Sequence, residues 1–456
     1  MERAHVALIS MGRHFFDTEH AEKMLDESEQ SLSRNLARSG VSIRRIGRPI
    51  TSPEDAAHIR AEMAEHGEPD LIVVQYGTFG LWSHLEQAIG GVTCPVIVWI
   101  IPEPGDAPGR LRLNSMCGAN LGSNYLFMRK RWFRAVYGSI HSRHVLSTIE
   151  TVSKAAYAVR QLKGSRIGVI GDPPTGFYPW DFSDSHVKER FGVELVRIPL
   201  DRLIGPSFPE TQDIRRSHLA EEAMAMQNIS TLDQDEIERS IGLAIAMHRV
   251  VEEDGLNAVA IRCWPEIPEQ MSCAACFGVS ALAGSGIPTA CEADVYGALS
   301  LLCISYLAGG DRAPALMDLV SVDDSTAVFW HCGAAPLCYT RGQHPGRNGV
   351  CATVHPNRKV ALALDFDFTM QTATCCRVGI GRDGRDRAVV FSGKRAEMPR
   401  HFTGTSCALN VGRSASDLVE SLLNAGYEHH YAIAPGAVEN EFSYFCDMLE
   451  LPLHRP

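Results

Sequence analysis

Residues 166–171 read Arg-Ile-Gly-Val-Ile-Gly, and residues 6–10 read Val-Ala-Leu-Ile-Ser. Each is a short apolar run without polar alternation, the pattern of a strand buried on both faces of a parallel sheet. The second run decides the fold because it restarts what the first begins. After residues 6–10 a helical segment continues to about Arg38, and buried-strand patterns follow at Leu71-Ile72-Val73-Val74 and Val96-Ile97-Val98-Trp99-Ile100. After the helical stretch from Ser147 to Leu162 comes Arg166-Ile167-Gly168-Val169-Ile170-Gly171, then Glu194-Leu195-Val196-Arg197-Ile198 and Ala258-Val259-Ala260-Ile261-Arg262. Strands alternating with helices imply parallel sheets, so two α/β units are expected.

Beyond about residue 311 the texture changes to short strands separated by Gly-rich joints. Ala327-Val328-Phe329-Trp330, Val360-Ala361-Leu362-Ala363-Leu364, Ala388-Val389-Val390-Phe391 and Ala408-Leu409-Asn410-Val411 read as a sandwich or small barrel. The expected fold class is α/β: two Rossmann-like parallel-sheet domains, 1–163 and 164–310, followed by a mostly β C-terminal domain, 311–456.

A chain of 456 residues with 45% hydrophobic and 21% charged residues can fill more than one core. Its net charge of -11 argues against a general nucleic-acid or anionic-membrane binder, with Arg129-Lys130-Arg131 the local exception. That basic run could meet an anionic group on a modified sugar, but a charge run is usually a solvated face, which is the reading preferred here. No apolar run is long enough to cross a bilayer, and the start of the chain reads as a strand, so a cytoplasmic location is expected. The 14 cysteines are scattered through apolar segments and read as reduced core thiols. Cys273 and Cys276 have the spacing of half a zinc site without clustered companions, which disfavours a structural zinc. No Gly-x-Gly-x-x-Gly turn follows either first strand and no Gly-Lys-Ser/Thr phosphate loop occurs, which disfavours dinucleotide and ATP sites. The loop Gly171–Phe177 lies at a strand end, where ligands often approach, although its Pro and Gly residues are more simply turn formers.

Charged residues in apolar frames demand partners. Glu292 and Asp294 lie in Ala290-Cys291-Glu292-Ala293-Asp294-Val295, Asp318 in Leu316-Met317-Asp318-Leu319, His331 in Phe329-Trp330-His331-Cys332, and His429 and His430 in Tyr427-Glu428-His429-His430-Tyr431. Carboxylate oxygens with one or two imidazoles suit a divalent ion of mixed oxygen and nitrogen preference such as Mn²⁺. Taken singly, an Asp before a helix is more often a cap, and a His in an apolar strand more often a hydrogen-bonded core residue.

Together these stretches resemble the L-fucose isomerase and L-arabinose isomerase superfamily of aldose–ketose isomerases. The 26-residue separation of Glu292 from Asp318 is similar to that of the family's two acidic metal ligands, and Asn114-Ser115-Met116-Cys117-Gly118-Ala119 resembles a segment of its first domain. The resemblance implies that Glu292 and Asp318 bind Mn²⁺ and serve as the catalytic acid–base pair, with His430 as a further ligand. His331 occupies the place of a ligand in the arabinose branch only, and His429 replaces His430 if the register shifts by one. Asp294 is expected to support Glu292 from behind or to cap the helix beginning near Val295. Trp264 and Glu266, in Arg262-Cys263-Trp264-Pro265-Glu266, are expected to line the substrate cleft together with His429 and Asn114. The family also implies a homotrimer or homohexamer whose clefts are completed by a neighbouring subunit.

An aldose and its 2-ketose interconvert by moving a proton between C2 and C1 through a cis-enediol, which requires an acid, a base and charge stabilisation at O1 and O2. That gives two buried-frame carboxylates a purpose. A non-enzymatic sugar-binding protein and a metal-dependent hydrolase or aldolase with the same ligands are the competing readings.

Overall fold

The computed structural model describes residues 4–105, 109–177, 183–205, 208–209, 211–309, 313–340, 350–397, 399 and 402–456. The chain divides into two compact units, Met1–Arg160 with Asp447–Leu449, and Gln161–Cys446 with Glu450–Pro456. The expected boundary at residues 310 and 311 lies outside the described residues. Among the described residues no helix is long and apolar enough to cross a membrane.

The first unit holds five parallel strands, β1 (Ala4–Met11), β2 (Val41–Arg45), β3 (Leu71–Tyr76), β4 (Val96–Ile100) and β5 (Phe133–Tyr137), in the order β2-β1-β3-β4-β5. Every residue of β3 is buried, as its unbroken apolar run requires. In the second unit β6 (Arg166–Ile170), β7 (Glu194–Ile198), β8 (Ala258–Ile261) and β9 (Thr289–Ala290) form a parallel sheet ordered β7-β6-β8-β9.

The second unit also contains β10 (Ala315–Asp323), β11 (Thr326–His331), β12 (Cys351–Thr353), β13 (Ala363–Asp367), β14 (Thr372–Ile380), β15 (Asp386–Arg395), β16 (Thr405–Asn410), β17 (His430–Pro435) and β18 (Leu453–His454). Six of them run antiparallel around a closed ring, β16-β11-β10-β17-β14-β15, which β15 completes by pairing Lys394 and Arg395 with Asn410 and Leu409 of β16. Closure removes the exposed edges that an open sheet would present. Phe329, Phe391 and Tyr431 fill this barrel, with ring centroids 5.9 to 6.3 Å apart.

The helix Val295–Leu307 packs against β14 and β17 of the barrel and against β6, β8 and β9 of the parallel sheet. Being buried between two layers, it has no polar face: twelve of its residues, from Val295 to Ile304 and then Ser305 and Leu307, are buried. Glu292 and Asp294 stand at its N-terminal end, so the local sequence that looked anomalous sits where parallel sheet, helix and barrel meet.

Candidate active site

Three loops or strand ends of the parallel sheet and barrel line one cavity of about 240 Å³: Cys263-Trp264 after β8, Glu292 after β9, and His331-Cys332 at the end of β11, with Asp318 of β10 beside them. Glu292 reaches it through an unusual turn. Glu292 and Ala293 have φ of 62° and 53°, a left-handed conformation costing roughly 1–3 kcal/mol at each non-glycine residue. Ala293 N–H donating to the Ile261 carbonyl at 2.8 Å and the helix start at Asp294 hold the turn in place.

The barrel supplies the rest by register. Asp318 of β10 lies directly opposite His430 of β17, so both side chains project from the same face. His430 Nε2 is 3.5 Å from Asp318 Oδ1 and 3.7 Å from Glu292 Oε2. Its other nitrogen, Nδ1, donates to Asp294 Oδ2 at 2.9 Å. Asp294 is fully buried; burial would raise its pKa, but Arg377 and His430 hold it far below the usual carboxylate range. An ionised carboxylate only accepts, so Nδ1 of His430 carries a proton and Nε2 is the nitrogen that faces Glu292 and Asp318.

Asp294 does three things at once. It caps the helix by accepting from Gly297 N at 2.7 Å, binds Arg377 through both oxygens at 2.5 and 3.0 Å, and orients His430. The close approach explains the glycine: a Cβ at Gly297 would lie 2.4 Å from Asp294 Oδ2 and 3.1 Å from Arg377 Nη1. The expected cap is present, whereas the side chain that Asp294 supports is His430 rather than Glu292.

Glu292 Oε1 accepts from Trp264 Nε1 at 3.1 Å, whereas Glu292 Oε2 and Asp318 Oδ1 are buried and have no hydrogen-bond partner among the described residues. Two orphaned carboxylate oxygens facing an imidazole nitrogen fit a divalent cation, since buried charges otherwise demand pairing. Ligand atoms of Glu292, His429 and His430 lie within 4.8 Å of one another, and so do those of Asp318, His331 and His430. His430 belongs to both groups. His429 is half-exposed, with Nε2 3.6 Å from Glu292 Oε2 and its ring edge-on to Phe177 at 5.9 Å. Burial penalises a charge on His331, but Cys332, Asp318 and Glu292 outweigh it and push the imidazole up to about 10. Burial likewise disfavours charge on His429, yet Glu292 and Asp318 raise its pKa as well. His331 and His429 thus both favour the charged form beside these acids.

The structure does not bring Glu266 to this cavity. Both its oxygens are taken by Arg262, at 2.6 and 2.7 Å, and it lines a separate cavity with Arg197 and Leu200 at the ends of β6 to β8. Trp264 and Glu266 are two residues apart but part company because Arg262, four residues before Glu266, captures the carboxylate. Asn114 lies in the first unit, at the N-cap position of the helix Ser115–Met128, with its backbone N–H donating to Glu103 Oε2 at 2.9 Å.

Sequence reasoning missed Arg377, Phe177, Cys332 and the segment His355 to Arg358. Arg377 had a signal: a lone Arg in the apolar strand Thr-Ala-Thr-Cys-Cys-Arg-Val-Gly-Ile. The thiol Cys332, read as inert, lines the cavity 3.6 Å from Cys276 Sγ and 3.2 Å from His331 Nδ1.

Comparison with known proteins extends these observations. No family model matches the chain. A curated protein from Alkalicoccus urumqiensis named sulfoquinovose isomerase is 30% identical over 457 residues, covering 98% of each chain. One of the same name from Priestia megaterium is 30% identical over 99% of each, and one from a Clostridium species is 31% identical over 84% of this chain and 85% of its own. Among solved structures, an ABC transporter solute-binding protein from Agrobacterium vitis matches with 16% identity over 67% of this chain and 90% of its own, at a TM-score of 0.17, too low to carry an argument.

Proposed function

The chain belongs to the family of sulfoquinovose isomerases and is an aldose–ketose isomerase, and from that premise we propose that it converts sulfoquinovose, a hexose bearing a sulfonate at C6, to the corresponding 2-ketose with Mn²⁺ as cofactor. The observation that carries the metal reading is the pair of buried, orphaned oxygens, Glu292 Oε2 and Asp318 Oδ1, facing His430 Nε2. Glu292, Asp318 and His430 would hold the ion, with His331 completing the set on the Asp318 side. When bound, a divalent cation supplies Lewis-acid polarisation of sugar oxygens and stabilises developing negative charge.

The chain's own residues supply the proton chemistry. One of the two carboxylates takes the proton from C2 of the aldose and O1 is protonated, giving a cis-enediol; the carboxylate then returns its proton to C1 while O2 gives up its hydroxyl proton, which replaces the one supplied to O1, and becomes the ketose carbonyl. Trp264 N–H on Glu292 Oε1 fixes that carboxylate's orientation and lowers its basicity. Burial would raise the pKa of Glu292, but His429, His430 and Trp264 together hold it below the usual value, so the group enters the cycle ionised and able to accept a proton.

The likeness between the sequence stretches around these residues and the fucose and arabinose isomerases supports placing this family in the same superfamily. On the same ground we propose a homotrimer or homohexamer, which light scattering tests: a fully active monomer overturns it. The test of the function is incubation of the purified chain with sulfoquinovose and Mn²⁺ in heavy water. Ketose formation with deuterium incorporated at the transferred position is the expected result; conversion with no solvent hydrogen under any condition would argue for hydride transfer and against the carboxylate pair.

A further inference from the structure

We propose, resting on the sulfoquinovose reading above, that Arg358 recognises the sulfonate of the substrate, with Asn357 beside it and His355 as the positioning residue of their turn. A sulfonate is a permanent anion, and it must enter a cavity that already holds Glu292 and Asp318. Without a cation, like-charge repulsion would oppose binding. Among the described residues lining the cavity, Arg358 is the one carrying a guanidinium or ammonium group.

Arg358 is exposed but placed. His355 Nδ1 accepts from the backbone N–H groups of Asn357 and Arg358, both at 3.2 Å, while His355 N–H donates to the Val360 carbonyl at 2.8 Å and Lys359 N–H to the His355 carbonyl at 2.9 Å. This knots residues 355–360 into a tight turn. At its tip the guanidinium carbon of Arg358 lies 4.5 Å over the Trp264 ring centroid, an attraction worth having at an exposed site. No described carboxylate pairs with Arg358, so its planar N–H fork, the geometry that suits bidentate anion recognition, is not consumed by the protein. Trp264 therefore divides the cavity: its indole N–H holds Glu292, where C1 and C2 react, and its face carries Arg358, where the distal anion would sit. One indole ring separates reacting end from charged end, as a six-carbon sugar with C1 chemistry and a C6 anion requires.

Other cations fit this role less well. In the basic run of the first unit, Arg129 is bound to Glu86 at 3.0 and 3.2 Å, and Arg131 donates to the Ile89 and Cys94 carbonyls. Arg262 is held by Glu266 and by the carbonyls of Asp172 and Pro173.

The experiment compares wild type, Arg358→Gln and Arg358→Lys on sulfoquinovose and on quinovose, the neutral 6-deoxy sugar, with metal saturating. Arg358→Gln should raise KM for sulfoquinovose about 10- to 100-fold, the scale of lost charge-assisted hydrogen bonds. Its kcat should fall far less, and the ratio of kcat/KM for the sulfonated over the neutral sugar should drop at least tenfold. Arg358→Lys should lie between. Equal losses on both sugars, or an unchanged KM for sulfoquinovose, overturn the assignment of Arg358 while leaving the substrate reading intact. A wild-type enzyme that prefers quinovose overturns both. Were neither sugar turned over, calorimetric titration with sulfoquinovose reads the same contrast between wild type and variant: equal affinity rejects the proposal.

Discussion

The imidazole of His430 donates Nδ1–H to Asp294 at 2.9 Å, and Arg377 binds both oxygens of that same carboxylate from within the barrel wall. A residue that does not line the cavity thus orients the imidazole that faces both Glu292 and Asp318. Asp294→Asn should lower Mn²⁺ affinity about 10- to 100-fold, the usual cost of losing a ligand's supporting partner. It should also destabilise the fold by about 3–5 kcal/mol, because the fully buried Arg377 guanidinium loses its bidentate carboxylate and keeps Glu428 only at 3.6 Å. Adding Arg377→Met to Asp294→Asn should recover part of the stability and none of the metal affinity. Urea unfolding and Mn²⁺ titration measure the two quantities separately.

Glu292→Gln and Asp318→Asn should behave differently. Each removes a buried carboxylate oxygen that has no hydrogen-bond partner among the described residues, so in metal-free protein the unfolding midpoint should change far less than in Asp294→Asn, with a small loss at Glu292 because His429, His430 and Trp264 favour its ionised form. Turnover at saturating Mn²⁺ should nonetheless fall by about 10² or more, the scale of general acid–base catalysis. Stability loss comparable to that of Asp294→Asn would contradict the reading of these oxygens as ligands in waiting.

Chelation should abolish activity and Mn²⁺ should restore it. An ion held by residues that only folding brings together would bind the folded state, so the thermal midpoint should climb with Mn²⁺ concentration, corresponding to about 2.7 kcal/mol when free metal reaches a hundred times Kd. Wild-type protein whose midpoint ignores Mn²⁺ would count against the site, and Glu292→Gln should blunt the response.

The first unit carries a separable acid sensitivity. Asp55 is a buried member of the capping box that starts the helix Pro53–His66; burial would raise its pKa, but bonds from Thr51 and Arg48 bring it down to about 2. Its folded pKa is thus depressed below the ordinary value of 3.8, so the stability it contributes is present above that value and is lost as pH falls toward about 2. The contribution at neutral pH is about 2 kcal/mol. Asp55→Asn should therefore be less stable than wild type at pH 7, with the gap narrowing below pH 4, as followed by circular dichroism.

The parallel sheets were legible in the sequence because strands buried on both faces must be apolar throughout, as β3 and β8 are. The acidic pair at Glu292 and Asp318 was legible because a carboxylate in an apolar frame advertises a partner. Local pattern alone could not place His429 and His430, and the tertiary structure brings both to the acids: pairing β10 with β17 sets buried His430 against Asp318, while half-exposed His429, just before the strand, also reaches Glu292 at 3.6 Å. Nor could sequence spacing separate Trp264 from Glu266, since what parts them is the capture of Glu266 by Arg262. Arg377 and Arg358 come to the site from 83 and 66 residues after Asp294 and Glu292, through barrel closure and a knotted turn. The sequence by itself determined which segments are buried and which residue types carry chemistry, because burial and charge are local costs. Which of those residues meet was decided by strand register and barrel closure, which depend on contacts between distant parts of the chain.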